Sequence, residues 1–145
     1  MAKIELVSEA TDDLLAALDR LLPQLTSRRP PSRAELQALL RSDASSLFVA
    51  RDDSGNARII GIASLAVYRV PTGVRAIIED VVVDTSARGQ GIGEALTRRC
   101  LDFARQRGAD SVTLTSNPAR QAANRLYLRM GFYRRDTNAY VYKFV

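Results

Sequence analysis

The stretch that decides the fold runs from Val81 to Gly93 and reads Val-Val-Val-Asp-Thr-Ser-Ala-Arg-Gly-Gln-Gly-Ile-Gly. It closes the run from Val74 to Asp84, in which Ile77, Ile78, Val81, Val82 and Val83 are nearly continuous, as expected of a strand buried on both faces. After it, apolar residues recur at helical spacing up to Arg107. The alternating glycines let backbone N–H groups approach a ligand, and the helix N-terminus adds partial positive charge. The sequence therefore predicts a strand, a phosphate-binding turn and a helix.

Arg88 opens this turn and can form paired hydrogen bonds with a diphosphate. Two better-known phosphate-binding sequences do not fit. A Walker loop requires Gly-Lys-Ser/Thr after four spacer residues, and the dinucleotide-binding fingerprint requires a third glycine where Glu94 stands. The remaining alternative is a tight strand-to-helix turn that binds nothing.

The segments before this unit predict one strand and two helices. A strand is expected over Lys3 to Val7, and Thr11 is the expected N-cap of a helix with leucines at helical spacing. The residues from Ser27 to Pro31 end that helix. Ser32 and Glu35, three residues apart, form a capping box and start a second, short helix. Two helices joined by a basic connection therefore precede the main strands.

The middle and the end of the chain predict further strands. Runs rich in β-formers from Ser46 to Arg51 and from Arg58 to Val70 flank the turn residues 52–56. The last elements are a strand over Ser111–Thr115, a helix over Ala119–Met130 and two strands over Phe132–Arg135 and Tyr140–Val145. The element order is βααβββαβαββ, so we expect a single mixed α/β domain over residues 1–145.

The composition excludes several kinds of site. The 145 residues include one cysteine and no histidine, so neither an internal disulfide nor a Cys/His zinc site can form, and no metal site is expected. The lack of histidine also removes imidazole acid-base chemistry. Any chemistry must use carboxylates, tyrosine, hydroxyls, basic side chains or backbone groups. Cys100 lies on the apolar face of its helix, which favours packing over an acyl-carrier role.

The charge of the chain identifies no partner. Lys and Arg number 21 against 16 acidic residues, for a net charge of +5. The arginines are spread from Arg20 to Arg135 and form no basic stripe interleaved with aromatic residues, so no nucleic-acid interface is expected. No apolar run approaches the roughly 20 residues of a membrane span, and no signal sequence is recognisable. We therefore expect no membrane association and a cytoplasmic protein.

A second group of motifs follows the glycine turn. Its parts are Leu114-Thr115-Ser116-Asn117, Ala123-Asn124-Arg125-Leu126-Tyr127 and Met130-Gly131-Phe132. Together with Arg88-Gly89-Gln90-Gly91-Ile92-Gly93, they resemble the GNAT superfamily of acyl-CoA-dependent N-acyltransferases, whose signature is Arg/Gln-x-x-Gly-x-Gly/Ala. The resemblance covers residues 3–145, and its specific motifs lie between Glu79 and Phe132.

This resemblance implies a fold and a co-substrate. The implied GNAT fold has a central, mostly antiparallel sheet of about six or seven strands, splayed between the fourth and fifth, with about four helices. Acetyl-CoA would enter the splay and pair its pantetheine arm with the backbone of Val81 and Val83. Its diphosphate would bind the turn, and Asn117 or Asn124 would contact CoA. The implied turn residues are Arg88, Gly89, Gln90, Gly91, Ile92 and Gly93.

Tyr127 is the general acid that the resemblance implies. Asn124 and Tyr127 lie three residues apart and so share a face of the predicted helix. A tyrosine hydroxyl, with an ordinary pKa of about 10, is protonated at neutral pH and can give its proton to a departing CoA thiolate. The alternative is that Tyr127 only packs against Ala123 and Met130.

Glu79 is the candidate base. An alkylammonium with a pKa of about 10.4 must lose a proton before it attacks a thioester. Without histidine, a carboxylate acting directly or through water is expected, and counting back by two from Val83 through Val81 places Glu79 on the same strand face. A β-bulge would break this parity. Alternatively, Glu79 is a structural partner of Arg75.

The combined prediction is an N-acetyltransferase in which a primary amine attacks acetyl-CoA directly in a ternary complex. The expected acceptor is a small amine or an amino-acid-like molecule. A protein N-terminus or lysine as acceptor, and a non-catalytic acyl-CoA-binding domain, are the alternatives. The resemblance implies an acceptor side bounded by residues 28–32 and by Tyr68, Tyr133, Asn138 and Tyr140. A homodimer formed through the last strands or a sheet edge is compatible with the sequence.

Overall fold

The computed structural model describes residues 2–144, which fall into two compact units. The first extends to Thr115 and the second begins at Ser116. The described part of the first unit has the element order βααβββαβ. Its elements are β1 (Lys3–Leu6), α1 (Asp12–Leu21), α2 (Arg33–Arg41), β2 (Ser45–Arg51), β3 (Ile59–Val70), β4 (Gly73–Val83), α3 (Ile92–Gln106) and β5 (Ser111–Thr113).

The strands form one sheet in the order β1-β2-β3-β4-β5. Neighbouring strands are antiparallel except for β4 and β5, which run parallel. The hairpin predicted around residues 52–56 is confirmed, with Phe48 of β2 opposite Ala63 of β3. The predicted class, a mixed α/β fold with a mostly antiparallel sheet, is therefore confirmed.

One face of the sheet is covered by α1 and α2. Both helices carry leucines at helical spacing, so each presents an apolar stripe to the strands. Burial of each such side chain stabilises the fold by about 1.5–3 kcal/mol. The buried cluster comprises Leu14, Ala17, Leu18, Leu21, Leu36, Leu47, Val49, Ile59, Ile62 and Val82.

Helix α3 covers the opposite face. Its Phe103 contacts Phe48 edge-on, with 5.4 Å between the ring centroids. Gly61 of β3 lies beneath the helix, since a Cβ there would come within 3.1 Å of Leu96 Cδ1. Cys100 is fully buried in this layer, and burial raises the pKa of its thiol to about 12. The thiol is therefore a packing group, as predicted.

The helix starts follow from their capping residues. Thr11 Oγ1 accepts a hydrogen bond from the backbone N–H of Leu14 at 3.1 Å. Ser32 and Glu35 form the predicted capping box, with each side chain accepting from the other residue's N–H. Helix α1 ends earlier than predicted, at Leu21, and residues Leu22–Gln24 form one 3-10 turn. Pro23 lies in this turn and cannot donate to the carbonyl four residues back.

The second unit contains the helix α4 (Gln121–Arg129), and residues 116–144 contain no strand. The predicted strands Phe132–Arg135 and Tyr140–Val145 are therefore wrong over the described residues, which do not include Val145. Their aromatic pattern suits a strand, but a strand also needs a partner edge for its backbone. Within the part of the chain that the structure describes, the sheet has five strands instead of the predicted six or seven. After Phe132, the aromatic side chains of these two stretches are exposed, namely Tyr133, Tyr140, Tyr142 and Phe144.

Candidate active site

The glycine turn between β4 and α3 presents backbone N–H groups that donate to no other residue in the range 2–144. Gly89 and Gly91 both have φ of +78°, the left-handed conformation that favours glycine. Gly91 is the N-cap of α3, and no side chain caps this helix. The N–H groups of the first turn of α3 are therefore available to an anion, which the helix dipole also attracts. A Cβ at Gly89 or Gly91 would meet no atom within 4 Å, so the space beside the turn is open.

Arg88 stands at the entrance to this turn. Its Nε donates a hydrogen bond to the carbonyl oxygen of Val83 at 3.1 Å. Among residues 2–144 the Arg88 guanidinium forms no ion pair, and its side chain is exposed. Its two terminal nitrogens are therefore available to a bound phosphate.

Strand β4 has a free edge beside the turn. It pairs with β5 only through Arg75, Ala76 and Ile77, and no other described strand continues that pairing towards Val83. The N–H of Asp84 donates to Ile60 on the β3 side at 2.8 Å. Because strand backbone groups alternate in direction, the backbone groups of Val83 point to the free edge. An extended amide chain can pair with this edge, and the pairing of pantetheine with Val81 and Val83 stays a prediction.

A β-bulge in β4 changes the predicted position of Glu79. Val82 pairs with Ile62 and Glu79 pairs with Ser64, so two residues of β4 oppose one of β3 between these pairs. Ile62 and Val82 belong to the cluster under α1 and α2, and Ser64 shares the face of Ile62. Glu79 therefore lies on the α1–α2 face with Val82. The prediction that it shares a face with Val83 is wrong, because the extra residue reverses the alternation.

The suggested pairing of Glu79 with Arg75 is not found. The two residues are four positions apart on one strand, which separates their Cα atoms by roughly 13 Å. Arg75 Nη2 instead donates to Thr72 Oγ1 at 2.7 Å. Within the described chain Glu79 is exposed and forms no ion pair, so its carboxylate is available to a substrate or to water.

Asn117 and Asn124 of the second unit hold the start of α4. The side-chain N–H groups of Asn124 donate to the carbonyl oxygens of Asn117 and Arg120, at 3.0 and 2.9 Å. Asn117 Oδ1 accepts from the N–H of Ala119 at 2.9 Å. Because no side chain caps α4 at Arg120, these bonds define the loop that enters the helix. Both asparagines therefore have a local structural role, and their contact with CoA stays a prediction.

Tyr127 is buried on α4, with 7% of its surface exposed. Its ring meets that of Phe132 edge-on, with 5.7 Å between centroids, and its carbonyl oxygen accepts from the N–H of Phe132 at 3.0 Å. The Gly131-Phe132 ending of the motif thus returns the chain against the tyrosine. Ring packing fixes the position of Tyr127, and its role as an acid stays a prediction.

The sequence did not identify a polar cluster next to the turn. Asp84, the residue after β4, is buried, and its Oδ1 accepts from the N–H of Ser86 at 3.1 Å. This hydrogen bond, followed by the guanidinium groups of Arg58 and Arg20, holds the pKa of the Asp84 carboxyl below its ordinary value. Asp84 caps the 3-10 turn Thr85–Ala87, a local signal that the sequence does offer. Arg20 lies 64 positions before Asp84, and no local sequence pattern indicates that the two residues make contact.

The described residues form neither a metal cluster nor a membrane-spanning helix. No group of three or more Cys, Asp or Glu residues there is placed to hold a metal ion. No helix among them is long and apolar enough to cross a bilayer. The donor groups that the site does offer, N–H groups at a helix start and an open strand edge, fit the diphosphate and the amides of CoA.

Comparison with known proteins agrees with this arrangement. Residues 12–132 match the model of the acetyltransferase (GNAT) family. The chain is 35% identical over 125 residues to glucosamine 6-phosphate N-acetyltransferase of Trypanosoma brucei brucei, covering 83% of this chain and 82% of that protein. It is 27% identical over 139 residues to glucosamine 6-phosphate N-acetyltransferase 1 of Oryza sativa subsp. japonica, covering 94% and 82%.

A crystal structure of a Trypanosoma brucei acetyltransferase superposes with a TM-score of 0.81 at 28% identity, covering 99% of this chain and all of that one. A family match over most of the chain thus coincides with the glycine turn and the open strand edge. The chain belongs to the GNAT family and is an acyl-CoA-dependent acetyltransferase.

Proposed function

We propose that the chain transfers the acetyl group of acetyl-CoA to the primary amine of a small molecule, by direct attack in a ternary complex. The observation that carries this proposal is the continuity of the free edge of β4 with the glycine turn. The edge offers hydrogen bonds to the pantetheine amides, and the turn offers N–H groups to the diphosphate. One extended ligand can use both, and CoA has these two parts in this order.

Binding of acetyl-CoA would rearrange Arg88. A pantetheine amide can replace Arg88 Nε at the Val83 carbonyl oxygen, which frees the whole guanidinium for the diphosphate. The site then gains a charge-assisted contact, and the carbonyl keeps a donor. Val81 and Val83 act through their backbone, so their side chains matter only for packing.

The proposed chemistry assigns one proton transfer to each candidate residue. Glu79, directly or through water, takes one proton from the ammonium group of the acceptor and releases it to solvent. The neutral amine attacks the thioester carbon, so that the C–N bond forms, the C–S bond breaks and a backbone N–H of β4 stabilises the oxyanion. Tyr127 gives its proton to the sulfur of CoA and regains one from the new amide nitrogen. Glu79 and Tyr127 are the catalytic residues of this proposal.

The acceptor is proposed to carry an anionic group. Arg29 is committed to Glu35 through two hydrogen bonds of 2.7 and 3.0 Å. The neighbouring Arg28 is exposed and forms no ion pair within the described residues. Its guanidinium is therefore available to a phosphate or carboxylate beside the α1–α2 connection. The relatives from Trypanosoma and Oryza are named for glucosamine 6-phosphate, which makes this compound the first acceptor to test.

A thiol-release assay tests the proposal. Acetyl-CoA is incubated with glucosamine 6-phosphate, glucosamine, free amino acids and peptides with free N-termini or lysines, and the released CoA thiol is measured. Release with the small amines is expected, and Arg28→Ala should raise KM for glucosamine 6-phosphate while leaving that for glucosamine unchanged. Release with peptides alone would indicate a protein acetyltransferase. Binding of acetyl-CoA without release to any amine would indicate a non-catalytic acyl-CoA-binding domain.

A further inference from the structure

A polar bridge connects the end of α1 to the start of the glycine turn. Gln24 Oε1 accepts a hydrogen bond from the N–H of Thr85 at 3.0 Å, and Gln24 Nε2 donates to the carbonyl oxygen of Arg20 at 3.3 Å. Arg20 Nη2 donates to the carbonyl oxygen of Ile59 at 2.5 Å, and Arg20 Nε lies 3.5 Å from Asp84 Oδ2. Two side chains from one helix end thus hold residues 84 and 85, which follow β4 directly.

Asp84 gives this bridge its rigidity. Asp84 is 5% exposed, and Arg58 Nη2 also lies 3.6 Å from its Oδ2. A buried carboxylate that loses its cationic partners is costly, so Asp84 keeps Arg20 in place. Through Oδ1 it also fixes the N–H of Ser86. The bridge therefore determines the path of the chain from the last residue of β4 into the 3-10 turn.

The two ends of the glycine turn are held in different ways. At the far end, the buried hydroxyl of Thr97 donates to the carbonyl oxygen of Gly93 at 2.7 Å. At the near end, the backbone depends on the bridge. Gly89 and Gly91 lie between them, exposed, and have no side chains that could hold the segment. The direction of the N–H groups that would meet a diphosphate therefore depends on how the two ends of the turn are held.

We propose that Arg20 and Gln24 are positioning residues for acetyl-CoA. They act through Asp84 and Thr85 on the glycine turn, and they presented no signal in the sequence. The inference rests on the proposed function, because it requires the turn to bind the diphosphate of CoA. The inference adds that the end of α1 provides part of the affinity for CoA, although this helix lies far from the glycine turn in the sequence.

The variant Gln24→Met tests the inference. Methionine has a similar length and favours helix, but it cannot accept the hydrogen bond from Thr85. We expect the Kd for CoA, measured by titration calorimetry, to rise roughly 3- to 10-fold, the loss typical of one hydrogen bond. The kcat at saturating acetyl-CoA should stay unchanged. The kcat/KM for S-acetylpantetheine, which lacks the diphosphate, should also stay unchanged.

Two further variants complete the experiment. Gln37→Met places the same substitution at a half-buried glutamine of α2 and should leave the Kd for CoA unchanged. Arg20→Lys keeps a positive charge for Asp84 but removes the planar fork that also reaches Ile59, so it should weaken CoA binding as well. It serves as the test if circular dichroism shows that Gln24→Met has lost its fold.

The results separate this inference from the proposed function. An unchanged Kd in a folded Gln24→Met variant would overturn the inference, and so would an equal loss of kcat/KM for acetyl-CoA and S-acetylpantetheine, which would indicate general distortion. If the wild-type protein binds no CoA in the first titration, the proposed function fails and the inference fails with it.

Discussion

Glu79 of β4 lies directly opposite Ser64 of β3, on the face of the sheet that α1 and α2 cover further along. Side chains in such a cross-strand pair have Cβ atoms about 4.5–5.5 Å apart. The carboxylate of Glu79 and the hydroxyl of Ser64 are therefore neighbours on this face. The proposed base thus has a polar side chain beside it where the acceptor amine is proposed to approach.

Replacing Glu79 by Gln should depress the rate mainly at low pH. Deprotonation of the amine is hardest there, and a positioned base typically contributes 10²- to 10⁴-fold, so we expect a loss of about 100-fold below neutral pH and a smaller one above pH 9. The measurement is kcat/KM for acceptor as a function of pH. Asp80→Asn, at the exposed carboxylate of the bulge, is the control. A pH profile identical to that of the wild type would remove Glu79 from the mechanism.

Replacing Tyr127 by Phe should slow CoA release without weakening acetyl-CoA binding. Phenylalanine retains the ring contact with Phe132 and loses only the hydroxyl, so the fold is expected to survive. We expect kcat to fall about 100-fold, the lower range for a general acid, with the Kd for acetyl-CoA unchanged. Tyr142→Phe, at an exposed tyrosine, is the matched control. Full activity in the Tyr127 variant would reduce this residue to a packing role.

Replacing Gly91 by Ala should weaken both the fold and the binding of CoA. The φ of +78° is unfavourable for alanine, and the cost is about 1 kcal/mol in the free energy of unfolding. Its Cβ would also occupy the open space beside the turn, where the diphosphate is proposed to bind. Urea unfolding and CoA titration measure the two effects. Gly55→Ala, which adds a Cβ in equally open space without a positive φ, should change neither.

The Arg29–Glu35 pair should make stability depend on pH in the acid range. Hydrogen bonds from Arg29 and then Ser32 lower the pKa of Glu35 from 4.5 to about 2. Since the folded-state pKa lies below the unfolded one, the stabilisation is complete above about pH 5 and is lost as the pH falls towards 2. Glu35→Gln keeps an acceptor for the Ser32 N–H but removes the charge. The unfolding free energy of this variant should be lower than that of the wild type at pH 6, and the two values should converge near pH 2.

High salt provides the check on this exposed pair. Screening weakens ion pairs at the surface, so the difference at pH 6 should shrink when the ionic strength is raised to 1 M. A difference that is independent of both pH and salt would mean that the substitution acts on the helix cap and not on the charge.

The features that could be predicted from the sequence are the local ones. Thr11 and Ser32 start their helices because an N-cap hydrogen bond joins residues only three positions apart. The glycine turn is recognisable because all the residues that shape its backbone lie within the six positions 88–93. The same locality explains why Arg88 and Gly91 could be placed in one turn between β4 and α3. The family resemblance then extended these local signals to the fold as a whole.

The features that could not be predicted depend on distant parts of the chain. The face on which Glu79 lies depends on how many residues β3 supplies opposite it, which the sequence of β4 does not contain. The contact of Arg20 with Asp84 joins residues 64 positions apart. The aromatic segment from Phe132 onward has strand-like side chains, but whether it forms a strand depends on a partner edge. The expectation of one domain over residues 1–145 stays a prediction.

The bulge in β4 makes the effect of a deletion in this strand depend on its position. Removing one codon at position 80 or 81 would leave one residue opposite Ala63, so Glu79 would still pair with Ser64 and Val82 with Ile62. Removing the codon for Ile77 would instead move every side chain on one side of the deletion to the other face, so that Ala76 would leave the layer under α3 or Val82 would leave the cluster under α1 and α2. The exposed turn at residues 52–56 can gain or lose residues at little cost. A single-codon deletion in β4 outside the bulge should therefore be tolerated far less well than one at position 80 or 81.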